Sequence, residues 1–190
     1  MNQLTKEAIA RAFTELLETR PIEKITIKDI TDSCGINRQT FYYHFSDIYD
    51  LMEWSLNREL KKAIGTEEIS VADWKNQVKK IFLVMRSRKQ GLLNAYDDRN
   101  RLYYEVFLKK EIRPLISKLV ADFPEATEIS QEKREFIEEV YTRILLSFFL
   151  DWIDEGMPDE TKIQLDDYFT LVDGSIRSAL LRFQCDKKEE

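Results

Sequence analysis

Thr26-Ile27-Lys28-Asp29-Ile30-Thr31-Asp32-Ser33-Cys34-Gly35-Ile36-Asn37-Arg38-Gln39-Thr40-Phe41-Tyr42-Tyr43-His44-Phe45 is the stretch on which the fold turns. Thr26 followed three residues later by Asp29 fits a capping box, with Asp a shorter partner than the usual Glu. Ile27 and Ile30 point inward from the helix that follows. Gly35 stands where a helix ends on a left-handed residue. Ile36 anchors the turn, and Asn37 is a good N-cap for a second short helix. Phe41 and Phe45, four apart, give that helix a buried edge. Asn37, Arg38, Gln39, Thr40, Tyr42, Tyr43 and His44 are left facing outward. Two short helices about a glycine turn are the layout of a helix-turn-helix.

Working outward, Leu4, Ala8, Ile9, Ala12, Phe13, Leu16 and Leu17 recur at helical spacing. They predict one apolar face on a helix from about Thr5 to Thr19. Arg20-Pro21 stops it, because proline disfavours a helical residue before it. Downstream, Asp47 caps a longer helix over Ile48 to Ile64, with Leu51, Met52, Leu56 and Leu60 inward. Gly65 to Ser70 reads as a linker. Residues 1–64 are therefore expected to form one domain and 65–185 a second, with a disordered tail over 186–190. The second domain carries five helical patterns, at Val71–Arg88, Gln90–Tyr96, Arg99–Phe123, Ser130–Glu155 and Thr161–Phe183. Pro114 predicts a kink near Ile112. Pro124 ends that helix, and Gly156-Met157-Pro158 ends the next. The sum is an all-α chain of about nine helices.

With 190 residues and 43% apolar content, the chain can bury a real core. Five glycines and four prolines suit long helices joined by short loops. No apolar run approaches the ~20 residues that span a bilayer. The N-terminus enters an amphipathic pattern at once, without an export signal. Cys34 and Cys185 suggest no disulfide framework, so the cytoplasm is the expected compartment. Net charge is −6, and residues 1–50 carry six Lys/Arg against eight Asp/Glu. That balance excludes a protein that clings to nucleic acid over a broad basic surface.

The outward row on the second short helix has a use at a DNA groove. Arg38 can bond bidentately to guanine, Gln39 or Asn37 to adenine, and the Thr40 methyl can touch thymine. Tyr42, Tyr43 and His44 can bond phosphate oxygens, which sets register without reading sequence. Thr26 and Lys28, at the start of the first short helix, would face the backbone at the groove edge. The blander alternative is a solvated helical hairpin, which two adjacent exposed tyrosines between buried phenylalanines fit poorly.

Residues 25–30, Gly35-Ile36, Thr40–Phe45 and Leu51 resemble the N-terminal pattern of TetR-family transcription regulators. The resemblance covers about residues 8 to 55. It implies an all-α dimer with a three-helix DNA-binding domain and a C-terminal domain that senses a ligand and pairs the subunits. One residue departs from the pattern: Ile48 stands where the family usually places a phosphate-binding lysine. Fewer neutralised phosphates predict a shallow salt dependence. Trp152-Ile153 with Gly156-Met157-Pro158 is similar to a branch that includes regulators of dihydroxyacetone kinase operons, some of them activators with a protein partner.

Other chemistry is sparse. His44 is the lone histidine, so no histidine metal site or Ser-His-Asp triad arises elsewhere, and no metal, cofactor or catalytic set is expected. Cys34 reads as a small core residue. Phe82, Met85, Tyr96, Tyr103, Tyr104, Phe107, Tyr141 and Phe148 could wall a ligand pocket, with Arg99 or Arg101 as polar groups, or could be ordinary core. Ile144–Leu150 is apolar nearly all round, and the last helix is narrowed by Gly174, Ser175, Ser178 and Ala179. Phe148, Phe149, Trp152, Phe169, Val172, Ile176, Ala179, Leu180 and Phe183 are therefore expected at a two-fold helical interface. The expected function is a dimeric, ligand-responsive repressor of a palindromic operator, its effector unnamed. An activator controlled by a protein partner and a helical interaction module that does not touch DNA are the alternatives.

Overall fold

Side-chain caps set the first helices. The computed structural model describes residues 2–64, 73–96, 101–158, 161–172 and 174–186. Helix α1 spans Asn2–Leu17, α2 Ile27–Cys34, α3 Arg38–His44 and α4 Ile48–Ile64. Thr26 and Asp29 form the expected capping box at α2, and Gly35 closes that helix in the left-handed region at φ 68°. The Ile36 N–H returns to the Thr31 carbonyl at 3.1 Å, which satisfies a carbonyl left free at the helix end. Asn37 caps α3. Asp47 Oδ1 accepts from the Tyr49 and Asp50 amides at 2.8 Å each and starts α4.

The later helices are α5 Trp74–Ser87, α6 Lys89–Ala95, α7 Arg101–Ala121, α8 Gln131–Asp154, α9 Thr161–Val172 and α10 Ser175–Asp186. The protein is all-α as expected. Pro114 sits inside one continuous α7. The predicted helix Thr161–Phe183 is two helices, because Gly174 adopts a left-handed φ of 80° and restarts the chain as α10. Glycine inside an apolar pattern can sit quietly or act as a stop, and only the tertiary setting decides. The expected linker Gly65–Ser70 and the tail at 187–190 lie outside the described residues.

Two packed units emerge. The first comprises Met1–Glu67 with Lys80–Arg101, and the second Glu68–Lys79 with Leu102–Glu190. In the first, α1 packs on α2, α4 and α6. Ile9, Phe13, Ile30, Phe41, Phe45, Leu51 and Met52 fill its core. Each such side chain contributes roughly 1.5–3 kcal/mol by leaving water. At seven residues α3 is too short to persist alone. Phe41 and Phe45 hold it. Leu4, placed on the α1 apolar face by its spacing, is 74% exposed and sits at the rim of a groove beside α4.

In the second unit α10 packs on α8 and α9. Ile112, Ile116, Val120, Leu145, Phe149, Ile153 and Leu180 are buried there. The α8 C-terminus closes through paired bonds, Gly156 N–H to the Ile153 carbonyl at 2.9 Å and Met157 N–H to the Trp152 carbonyl at 2.8 Å. Met157 and Trp152, the two positions that such a cap sets one over the other, are both buried. Among the described residues no helix is long and apolar enough to cross a membrane.

Candidate nucleic-acid interface

The outward row of α3 is arranged by what lies beneath it. Phe41 and Phe45 are fully buried, with ring centroids 5.9 Å apart. That pins the opposite side of the helix to solvent. Arg38 and Gln39 are exposed, and Tyr42 and Tyr43 are 57% and 75% exposed. The Tyr42 ring stands edge-on to Phe41 at 5.6 Å, and Tyr43 edge-on to His44 at 5.2 Å. These contacts restrict both phenols, so less rotamer entropy is lost when they meet a partner.

Three of the seven residues expected on the outward row of α3 differ from a simple outward display. The Asn37 side-chain oxygen accepts from the Thr40 amide at 2.8 Å and the Thr40 hydroxyl at 3.0 Å. The cap therefore engages Asn37 through its oxygen and leaves its amide nitrogen outward. Thr40 is half-buried, and its hydroxyl serves the cap, so its methyl is what remains to offer. His44 is half-buried rather than exposed. Burial, and then the nearby Lys6 charge, pull its pKa below the ordinary 6.5. It faces a partner as a neutral imidazole at pH 7.

The start of α2 is also engaged. The Thr26 amide and hydroxyl both donate to Asp29 Oδ2 at 2.8 Å. The Thr26 backbone N–H first, and its hydroxyl next, hold the Asp29 carboxyl below the usual carboxylate value. Arg20 approaches the same oxygen at 3.4 Å. Lys28 is exposed. A cation absent from the sequence reading joins this region from α1. Lys6 Nζ lies 4.9 Å from the Phe45 ring centroid and 5.1 Å from that of Trp54. Nothing local in the sequence marks it, because its partners are 39 and 48 residues away.

The eight candidate pocket residues divide between the units. Phe82, Met85 and Tyr96 belong to the first, and Tyr103, Tyr104, Phe107, Tyr141 and Phe148 to the second. Tyr141 donates to Ser175 Oγ at 2.8 Å, and the Phe148 ring lies 5.8 Å from that of Tyr168. Arg101 begins α7, and Arg99 lies outside the described residues. A groove of about 460 Å³ in the first unit shares none of the eight; Arg11, Arg58, Lys62 and Arg88 line it with three glutamates.

Of the nine residues expected at a two-fold interface, Phe149, Trp152, Phe169, Val172, Ile176 and Leu180 are buried within the single chain. They fill the protomer's own core. Phe148, Ala179 and Phe183 keep partial exposure. The exposed apolar side chains on α8 and α10 are others: Phe136, Ile144 and Leu181. Helical spacing marks an apolar face but not whether the same chain or another covers it.

Residues 9–53 match the family described as bacterial regulatory proteins, tetR family. Residues 72–174 match a transcriptional regulator C-terminal region of the same family. The HTH-type dhaKLM operon transcriptional activator DhaS of Lactococcus lactis subsp. lactis (strain IL1403) is 26% identical over 102 residues, which are 54% of this chain and 48% of that protein. The uncharacterized HTH-type transcriptional regulator YxbF of Bacillus subtilis (strain 168) is 23% identical over 177 residues, 89% of this chain and 44% of that protein. The matches thus span about half the length of these curated relatives. The solved structure of the dihydroxyacetone kinase operon activator DhaS shares the fold, with a TM-score of 0.64 at 19% identity over 94% of this chain and 97% of that one. A helix-turn-helix at the expected residues and a matched C-terminal region of more than half the chain place this protein in the TetR family of transcriptional regulators.

Proposed function

We propose that the chain binds a palindromic operator as a homodimer, with α3 of each subunit in the major groove, and acts as a ligand-responsive repressor. The observation that carries this reading is the fixed outward row Arg38, Gln39, Tyr42 and Tyr43 over a buried Phe41–Phe45 edge. Arg38 and Gln39 suit base edges and the phenols suit phosphates. Lys28 and the α3 N-terminus add phosphate donors. Pairing through the exposed apolar side chains of α8 and α10 sets two reading heads about one DNA turn apart. An effector in the C-terminal region, beside Tyr141 and Phe148, lowers DNA affinity, and DNA lowers effector affinity by the same factor.

Selection of genomic fragments by the purified protein tests the operator. The Arg38→Ala, Tyr42→Ala double variant should lose all selected fragments while remaining a folded dimer. Retained function in that variant would instead mark a helical interaction module that does not touch DNA.

A second reading is an activator controlled by a protein partner; its activator half is favoured by the likeness to DhaS, which is named as an operon activator. A reporter downstream of the selected operator separates the two. Expression of the protein lowers transcription in the first reading and raises it in the second.

A further inference from the structure

Four cations from three elements of the first unit line one groove of about 460 Å³. They are Arg11 on α1, Arg58 and Lys62 on α4, and Arg88 in the turn before α6. Helices α4 and α6 both pack on α1, which gathers the three elements. The chain as a whole carries −6, so a gathering of positive charge runs against its composition.

The carboxylates of the groove do not use these cations up. Glu59 takes Lys62 at 2.9 Å on one oxygen and Arg88 at 3.6 Å on the other. Burial works against its charge, but Lys62, Arg88 and Arg58 together hold its carboxyl below the ordinary value. One carboxylate thus answers three cations. The Arg58 guanidinium also rests 5.7 Å from the Trp54 ring centroid. On α1, Glu7 and Glu15 stand four residues either side of Arg11. Neither reaches it: the Arg11 guanidinium makes no ion pair or hydrogen bond among the described residues. Glu7 instead accepts from the Gln3 amide at 3.4 Å. Four cations face three carboxylates, so the groove is net positive.

Leu4, 74% exposed, and Ala8 add an apolar strip to the same groove. Its volume lies within the range of small-molecule sites. Guanidinium groups present paired N–H donors that match phosphate oxygens. A DNA backbone phosphate is the other source of that chemistry, and the geometry favours a free molecule. Arg58 and Lys62 lie well into α4, about 15 and 21 Å along it from the end that follows α3. The α1 cation beside Phe45 is Lys6, which does not line the groove.

We infer that this groove binds a small phosphate monoester, its phosphate held by Arg11, Arg58 and Arg88 and its carbon part laid on Leu4 and Ala8. Arg88 turns to it from Glu59, which keeps Lys62. The site belongs to the first unit, whereas Tyr141 and Phe148 of the proposed effector region belong to the second, and it stands without that reading.

Phenyl phosphate is the probe, in calorimetric titration of the full-length chain at fixed ionic strength. It should bind saturably, one per chain, and benzyl alcohol should not bind. Arg11→Gln with Arg88→Gln should weaken it about tenfold or more. Glu15→Gln removes a repelling carboxylate from an exposed position and should tighten it about two- to fivefold. That gain stays readable if the double variant fails to fold. No saturable binding, equal binding of benzyl alcohol, or an affinity that these variants leave unmoved overturns the proposal. If the wild type ignores phenyl phosphate while the double variant shows a shallower salt slope in operator binding, the cations serve the DNA backbone and the proposal also falls.

Discussion

Asn94 donates its side-chain amide to the Leu17 carbonyl at 2.7 Å, across 77 residues of sequence. Leu17 ends α1, where the last carbonyls have no partner within the helix. Helix α6 therefore supplies a cap to α1, the helix on which α2 and α4 pack. Gly91 permits the approach: a Cβ there would stand 3.0 Å from Glu18 Oε1. Asn94→Ala should lower stability by about 1 kcal/mol in urea titration, the worth of one net hydrogen bond. Gly91→Ala should be tolerated, since the Glu18 carboxylate can swing aside. Gly91→Leu should destabilise the first unit and weaken operator binding together.

His44 gives a pH signature. Its lowered pKa leaves it neutral at pH 7, so operator affinity should be flat between about pH 7 and 8 as far as His44 is concerned. Affinity should rise as pH falls through the folded-state value, when the imidazolium can meet phosphate. His44→Gln should abolish that rise in fluorescence anisotropy. The sign for stability is opposite. The unfolded chain takes the proton more readily, so the His44 contribution is full above 6.5 and declines as pH falls below it.

Lys6 should be a phosphate contact. Its ammonium rests over Phe45 and Trp54, beside the end of α3, and no carboxylate pairs with it among the described residues. Lys6→Gln should shallow the slope of log K against log salt by about 0.9 per half-site. If the slope is unchanged and only the melting temperature falls, Lys6 is a cation–π support and nothing more.

The apolar positions of α8 and α10 should separate by role. Ile144→Asp with Leu181→Asp should give a folded monomer by sedimentation, because both side chains reach solvent in the single chain. Phe149→Ala should cost about 3–5 kcal/mol of folding stability, because that ring is inside the protomer.

The helix-turn-helix was legible in the sequence because its signals are local. Thr26 with Asp29, Gly35, Asn37 and Asp47 each specify a start or stop within a few residues, and each does so here. What sequence could not give depends on distant partners. Gly174 ends a helix where spacing continued it. Thr40 and His44 are half-buried although they share a row with Tyr42 and Tyr43. Phe149 and Leu180 carry the apolar spacing of an interface yet face their own core.

The brevity of α3 sets a thermal ceiling on recognition. A seven-residue helix has no melting transition of its own. Its shape is lent by Phe41 and Phe45, and those rings stay in place only while the surrounding helices do. Operator affinity plotted against temperature should therefore hold and then collapse in one step with the first unit. Gene control by this protein would fail abruptly on heating, in the manner of a fuse rather than a dimmer.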